Sequence, residues 1–167
     1  RISASKHVEM IIDLLRDLRQ RSKASIVLEI VGEPVVADDK KYFELLNQQV
    51  KKLGLNDAVF FSGPVPYGDI KSKYYQADIF VNCSSTGSLD KAVLESMLCG
   101  TLTLTTNEAF RSLPIYTADY QALLKKCEDL VELTERQPLL QEARSYAEKH
   151  HSLDNLISRI IQEINRL

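Results

Sequence analysis

Neither sign of charge is in excess in this 167-residue sequence: 21 Lys plus Arg stand against 23 Asp plus Glu, a net charge of -2. Such a balance gives no electrostatic reason for a nucleic-acid partner, and none is expected. Cysteine is scarce too. Cys83, Cys99 and Cys127 are an odd number at spacings that fit neither a zinc pattern nor a secreted disulfide framework. They read as buried free thiols in a reducing compartment, so the expected location is cytoplasmic. No apolar run approaches the roughly 18 residues of a membrane span, and the opening residues resemble neither a signal nor a transit peptide. Internal repeats and low-complexity segments are also missing. What is present, 44% hydrophobic residues over this length, suits one domain with a sizeable core.

The apolar residues alternate between two periods. Val8, Ile11, Ile12, Leu15 and Leu18 share one helical face, with Glu9, Asp13, Arg16 and Arg19 on the other. Ile26 to Gly32 is a nearly continuous aliphatic run, which predicts a central parallel strand covered on both faces. A helix follows over 38–53 and ends at Gly54. Val59–Phe61 and Ile79–Val81 read as strands separated by the Gly63–Pro66 break and a short helix to about Gln76. A turn over 84–88 leads to a helix over about 89–98, capped by Gly100, and Thr101–Thr105 is the next strand. From about Ala118 the chain is helical, with Pro138 marking a boundary between two helices. This alternation predicts an α/β, Rossmann-like doubly wound parallel sheet with flanking helices. The chain nevertheless opens on a loop and a helix, so a first strand is expected to lie upstream of Arg1.

In an open α/β sheet, ligands bind beyond the carboxyl ends of the strands. Arg1 and Lys6 put two cations beside a helix start whose amides favour anions, an arrangement suited to a diphosphate; solvated surface charges are the plainer reading. From Thr86 to Glu95 a glycine-containing turn at Gly87 runs into a helix. The amides of Lys91 and Ala92 are placed to hold a phosphate there, and Glu95 can accept two hydrogen bonds from a vicinal diol such as a ribose. Equally, Glu95 is a surface carboxylate on an amphipathic helix or the partner of Lys91 four residues back. No Asp-x-Asp pair occurs. His150 and His151 read as surface residues, and His7 has no visible acidic partner, so no histidine is assigned a role.

Several segments, taken in order, resemble the C-terminal domain of GT-B glycosyltransferases, most closely family four, the large retaining family of glycosyl transferases group one. Arg1 to Lys6 is similar to the family's Gly-Arg-x-x-x-x-Lys loop without its glycine. Ile30-Val31-Gly32-Glu33-Pro34 resembles a Val-Gly-x-Gly-Pro strand end. Phe61-Ser62-Gly63-Pro64-Val65 and Tyr74 to Val81 resemble Phe-x-Gly-x-Val and Tyr-x-x-Ala-Asp-Val-Phe-Val. Val93 to Gly100 resembles a Leu-Glu-Ala-Met-Ala-x-Gly helix, and His151 to Leu156 sits where the family has a Phe-Ser-Trp-like stretch. The resemblance covers nearly the whole chain.

It implies that Arg1 and Lys6 contact the donor diphosphate, that the amides of Lys91 and Ala92 reach the proximal phosphate, that Glu95 binds ribose and that Val65 presents its backbone to the base. Gly87 departs from the family, which often carries a sugar-contacting glutamate there; Ser88 and Asp90 are candidates for substitute contacts. The implied role is donor binding within a metal-independent hexosyltransferase that takes a nucleotide-diphosphate sugar as substrate and uses no cofactor. An N-terminal domain of the same parent chain would hold the hydroxyl acceptor, and any peripheral membrane association would come through that half. The isolated domain would bind weakly and turn over nothing useful. Two rivals stand beside this reading: a nucleotide-sugar epimerase of the same architecture, and a degenerate nucleotide-binding or protein-interaction domain without transfer. A dinucleotide-dependent dehydrogenase is excluded by the lack of Gly-x-Gly-x-x-Gly, and a phospho-receiver domain by Val31-Gly32-Glu33 and Asn82-Cys83-Ser84, which supply neither its acidic cluster nor its phosphoacceptor aspartate.

Overall fold

The structure, a computed structural model, describes residues 1–133, 137–151 and 162. A 3-10 turn at Ala4–Lys6 leads into α1 (Val8–Arg21). There follow β1 (Leu28–Val31), α2 (Ala37–Lys52), β2 (Val59–Gly63), α3 (Ile70–Gln76), β3 (Ile79–Asn82), α4 (Lys91–Leu98) and β4 (Leu102–Thr105). A 3-10 turn at Glu108–Phe110 precedes α5 (Tyr120–Glu132) and α6 (Gln137–His151). The expected alternation and fold class are both present. Pro138 is the second residue of α6, where its missing N–H breaks no helical hydrogen bond. Of the family-like stretch from His151 to Leu156, residues 152–156 lie outside the described residues.

Two boundaries move, one of them for a local reason. The helix expected from Leu89 begins at Lys91, because the Asp90 carboxylate accepts the Ala92 amide hydrogen and caps it. The strand expected from Ile26 begins at Leu28. A third difference concerns the sheet. The strands form two parallel pairs, β1–β2 and β3–β4, and no strand hydrogen bonds join the pairs among the described residues. Each of β1 and β3 therefore has a single strand partner.

Nor is β1 covered on both faces. Leu28 and Ile30 turn with Val59 and Phe61 towards α1 and α2, whereas Glu29 and Phe60 face outward, Phe60 with 49% of its surface exposed. Lys73 of α3 reaches across that outer face to Glu29 at 2.6 Å. The β3–β4 pair matches the expectation better. Leu102 and Leu104 pack towards α1 and α5, while on the other face Thr103 meets Ser96 of α4 at 2.9 Å.

The two halves are held together by α1. Val8, Ile12 and Leu15 enter the core over β1–β2, whereas Leu14 and Leu18, around the helix, enter the core over β3–β4. A third cluster joins Val93 and Met97 of α4 to Phe110 and to Ala143 and Ala147 of α6. Cys83 and Cys127 sit in the second core, and burial pushes both thiols up to about 12; Cys99, expected to be buried, is only half-buried. No described helix is long and apolar enough to cross a membrane.

Because α1 feeds two cores, truncation on either stripe should loosen the whole domain. Ile12→Ala and Leu14→Ala are each expected to cost about 2–5 kcal/mol, measured by urea denaturation, with one cooperative transition retained in both. Two separated transitions would show that the halves melt independently.

Candidate functional site

The opening loop crosses the carboxyl ends of both strand pairs. Ile2 donates its amide to the Glu33 carbonyl at 2.9 Å, just beyond β1, and Ser5 accepts the Ser85 amide at 3.1 Å, just beyond β3. Gly32 makes the first crossing possible. Its φ is +128°, and a Cβ there would lie 3.1 Å from the Arg1 nitrogen, so only glycine admits the loop without a shift. Arg1 and Lys6 are thereby delivered to opposite ends of one ridge.

Lys6 meets α4. Its Nζ lies 2.5 Å from Asp90 Oδ2, and the same oxygen accepts Asn82 Nδ2 at 3.0 Å. The other carboxylate oxygen accepts the Ala92 amide at 3.3 Å. Asn82 is itself fixed, since its Oδ1 accepts the Thr105 hydroxyl at 3.0 Å and the Ser84 amide at 3.3 Å. Burial disfavours the Asp90 charge, yet Lys6, Asn82 and the Ala92 amide outweigh it and hold the carboxyl below its ordinary range. Lys6 and the start of α4 thus converge. Asp90, however, faces Lys6 and the end of β3, a placement for which its apolar neighbour Leu89 gave no hint.

Arg1 turns the other way. Its Nε donates to Asp39 Oδ2 at 2.8 Å, and that buried carboxylate also receives the Val35 and Val36 amides at the start of α2. The Arg1 guanidinium, first of these, holds Asp39 below the usual carboxylate range. Glu95, one helical turn beyond Lys91, accepts the Tyr74 hydroxyl at 3.1 Å. Burial and then this carboxylate push the Tyr74 phenol well above its ordinary value, so it stays a donor. No Lys91–Glu95 ion pair is present among the described residues; Lys91 is exposed. Val65 is half-buried two residues beyond Gly63, whose carbonyl accepts the Gly32 amide at 2.8 Å under Arg1. Gly87 and Ser88 are exposed, Gly87 in a left-handed turn with φ +67°.

His7, for which the sequence shows no acidic partner, has one in the structure. Its Nδ1 lies 3.1 Å from Glu9 Oε1, and its Nε2 lies 3.0 Å from Ser85 Oγ. It is the only described non-glycine residue with positive φ, +47°, a conformation that costs about 1–2 kcal/mol. Helical spacing concealed the pair, because i and i+2 do not share a helix face; here His7 precedes the helix and turns back over it. With Ser85, Gly87, Glu108 and Asp119 it lines a cleft of about 370 Å³. Among the described residues no cluster of three or more His, Cys, Asp or Glu is placed to hold a metal ion.

Parallel strand pairs flanked by helices, with a loop cation meeting a helix start beyond the strands' carboxyl ends, make this a Rossmann-like α/β domain. The chain belongs to the glycosyl transferases group 1 family, whose family model matches residues 1–150. It is 33% identical over 107 residues to mannosylfructose-phosphate synthase of Agrobacterium fabrum, covering 64% of this chain and 24% of that protein. To alpha-monoglucosyldiacylglycerol synthase of Streptococcus pneumoniae it is 28% identical over 102 residues, covering 60% and 21%. The matches thus span a quarter or less of these relatives. Among solved structures it is similar in fold to Anabaena HepE in complex with UDP, with a TM-score of 0.85 at 20% identity, over 100% of this chain and 47% of that one. The same protein with UDP-glucose gives 0.81.

The depressed Asp90 pKa fixes the sign of a pH effect. Pairing with Lys6 stabilises the folded chain above the unfolded carboxyl value of about 3.9 and is lost as pH falls through the lower folded value. Asp90→Asn should therefore lower the urea midpoint near about pH 6, and its deficit should shrink steadily in acid below about pH 4. A deficit independent of pH would show that the ion pair does not carry it.

Proposed function

We propose that this chain is the donor-binding, C-terminal domain of a retaining GT-B glycosyltransferase of family four, moving a sugar from a nucleotide-diphosphate sugar to a hydroxyl acceptor. The observation that carries the reading is the convergence of Lys6 with the start of α4 over the carboxyl ends of the strands, Nζ to Asp90 at 2.5 Å. There the Lys6 charge and the amides of Lys91 and Ala92 stabilise the negative charge that grows on a departing diphosphate. Glu95, oriented by Tyr74, takes the ribose hydroxyls, the Val65 backbone meets the base, and Gly87 and Ser88 border the sugar. Arg1 joins the distal phosphate by leaving Asp39. The structural neighbours in complex with UDP and UDP-glucose support UDP as the nucleotide to test first.

In this reading an N-terminal domain of the parent chain holds the acceptor, and closure between the domains excludes water, so the part described here binds without turnover. An upstream strand would pair with both β1 and β3, and a longer chain that includes it should melt at a higher temperature. One observation favours a second reading, a nucleotide-binding domain without transfer: Arg1, Lys6 and Glu95 all have internal partners, and Gly87 offers no carboxylate to a sugar.

Titration calorimetry tests the site. A charge-assisted hydrogen bond contributes about 1.5–3 kcal/mol in favourable surroundings, so Glu95→Gln should weaken UDP roughly tenfold or more. The 2′-deoxy analogue, which offers one hydroxyl fewer, should lose less. Equal losses for the two nucleotides would remove Glu95 from the ribose, and no UDP binding even in the extended chain would overturn the donor-site reading.

A further inference from the structure

We propose that Asp90 is a specificity-determining residue that discriminates by ligand charge, disfavouring a free nucleoside diphosphate more than the diphosphate ester of a sugar, and so speeds release of the nucleotide product. The proposal rests on the donor-site reading above. Its starting point is that the Asp90 carboxylate holds the contacts a phosphate would use. One oxygen is shared by the Lys6 ammonium at 2.5 Å and the Asn82 amide at 3.0 Å, and the other receives a backbone amide at the start of α4 at 3.3 Å. A cation, a side-chain amide and a helix-start N–H are the donor set by which proteins hold phosphate oxygens.

Asp90 is also held in place. Its side chain is only 10% exposed, and Asn82 behind it is locked by Thr105 and Ser84. A phosphate arriving at Lys6 therefore shares the lysine with a fixed carboxylate instead of displacing a mobile one. The sum of Lys6 and Asp90 is neutral, and each further negative charge on the ligand meets a like charge with little water between.

The two ligands of a transfer reaction differ in that charge. A sugar-esterified diphosphate carries one negative charge on each phosphate. After transfer the distal phosphate is a terminal group with a second ionisation near about pH 6, so the product bears nearly one more negative charge at neutral pH. One extra unit charge about 4 Å from a carboxylate corresponds to roughly fivefold in affinity in bulk water and to roughly a thousandfold at an effective dielectric of about 20, so tenfold is the low end for a partly buried site. Had the site offered Lys6 alone, that same extra charge would have favoured the product and slowed its departure.

The test is calorimetric comparison of UDP and UDP-glucose on the unsubstituted chain and on Asp90→Asn, which keeps size and an oxygen for the Ala92 amide. Asp90→Ser, a shorter cap, is a second variant, and Asp129→Asn, on the exposed side of α5, controls for net charge. Circular dichroism establishes that each variant is folded. The expected result is that both Asp90 variants bind both ligands more tightly but gain more for UDP, so that Kd for UDP relative to UDP-glucose falls roughly tenfold or more. The Asp129 variant should leave the ratio alone. UDP binding with an unchanged ratio in both Asp90 variants overturns this proposal and leaves the donor site standing. Absence of UDP binding in the extended chain, with and without either Asp90 substitution, overturns the donor-site reading and this proposal with it.

Discussion

The structure depends on α1 presenting two apolar stripes to two different cores. The strand pairs share no backbone hydrogen bonds among the described residues, so side-chain burial must do what a continuous sheet would otherwise do. Ile12 on one stripe and Leu14 on the other are both almost fully buried. Polar groups then set the orientation of the helix. The Tyr42 hydroxyl accepts the Val8 amide at 2.8 Å from the α2 side, and Tyr120 donates to Asp17 at 2.6 Å from the α5 side. Both tyrosines are half-buried and kept protonated, firstly by burial and secondly by the carboxylates they serve. Fixing α1 fixes the loop before it, and with it Lys6 and His7.

From that anchoring the electrostatics of the ridge follow. A loop held at Glu33 and at Ser85 has little freedom left, so each cation on it meets whichever carboxylate the neighbouring helix start presents. Arg1 finds Asp39 near the beginning of α2, and Lys6 finds Asp90 at the beginning of α4. Both carboxylates also accept backbone amides, so each one satisfies a helix end and a cation together. The two pairs differ in cost. Arg1 is 55% exposed but its partner Asp39 only 7%, so parting costs the carboxylate more than the cation, whereas Lys6 and Asp90, at 33% and 10%, are both withdrawn from solvent.

The order of elements was legible because hydrophobic period depends only on local spacing. Leu102 and Leu104 announce a strand, and Val8, Ile12 and Leu15 a helix, whatever they pack against. What spacing could not reveal was which of those elements would pair. The run from Ile26 to Val31 looks like a strand buried on both faces, but Glu29 in its middle is turned outward to Lys73, a partner 44 residues away in sequence. The candidate site was readable only as positions. Loop position and resemblance single out Lys6, Lys91 and Glu95 as candidates, and the structure brings Lys6 to the start of α4. The partners of Lys6, Arg1 and Glu95 lie 84, 38 and 21 residues away, and no motif encodes a contact across that separation.

An anion site in a folded chain has a problem that its sequence does not display. Clustered donors with no ligand repel one another and leave amides unsatisfied, which is costly wherever water is partly excluded. Solvent can fill such a site, or a side chain can. In the proposed donor site the Asp90 side chain does so, and its pairing with Lys6 contributes to the stability of the folded state. The same charge then opposes every anion that comes later, and opposes it in proportion to the ligand's own charge. In the proposed donor site, stability of the fold and selectivity among phosphates are two consequences of a single carboxylate, since Asp90 both caps α4 and pairs with Lys6.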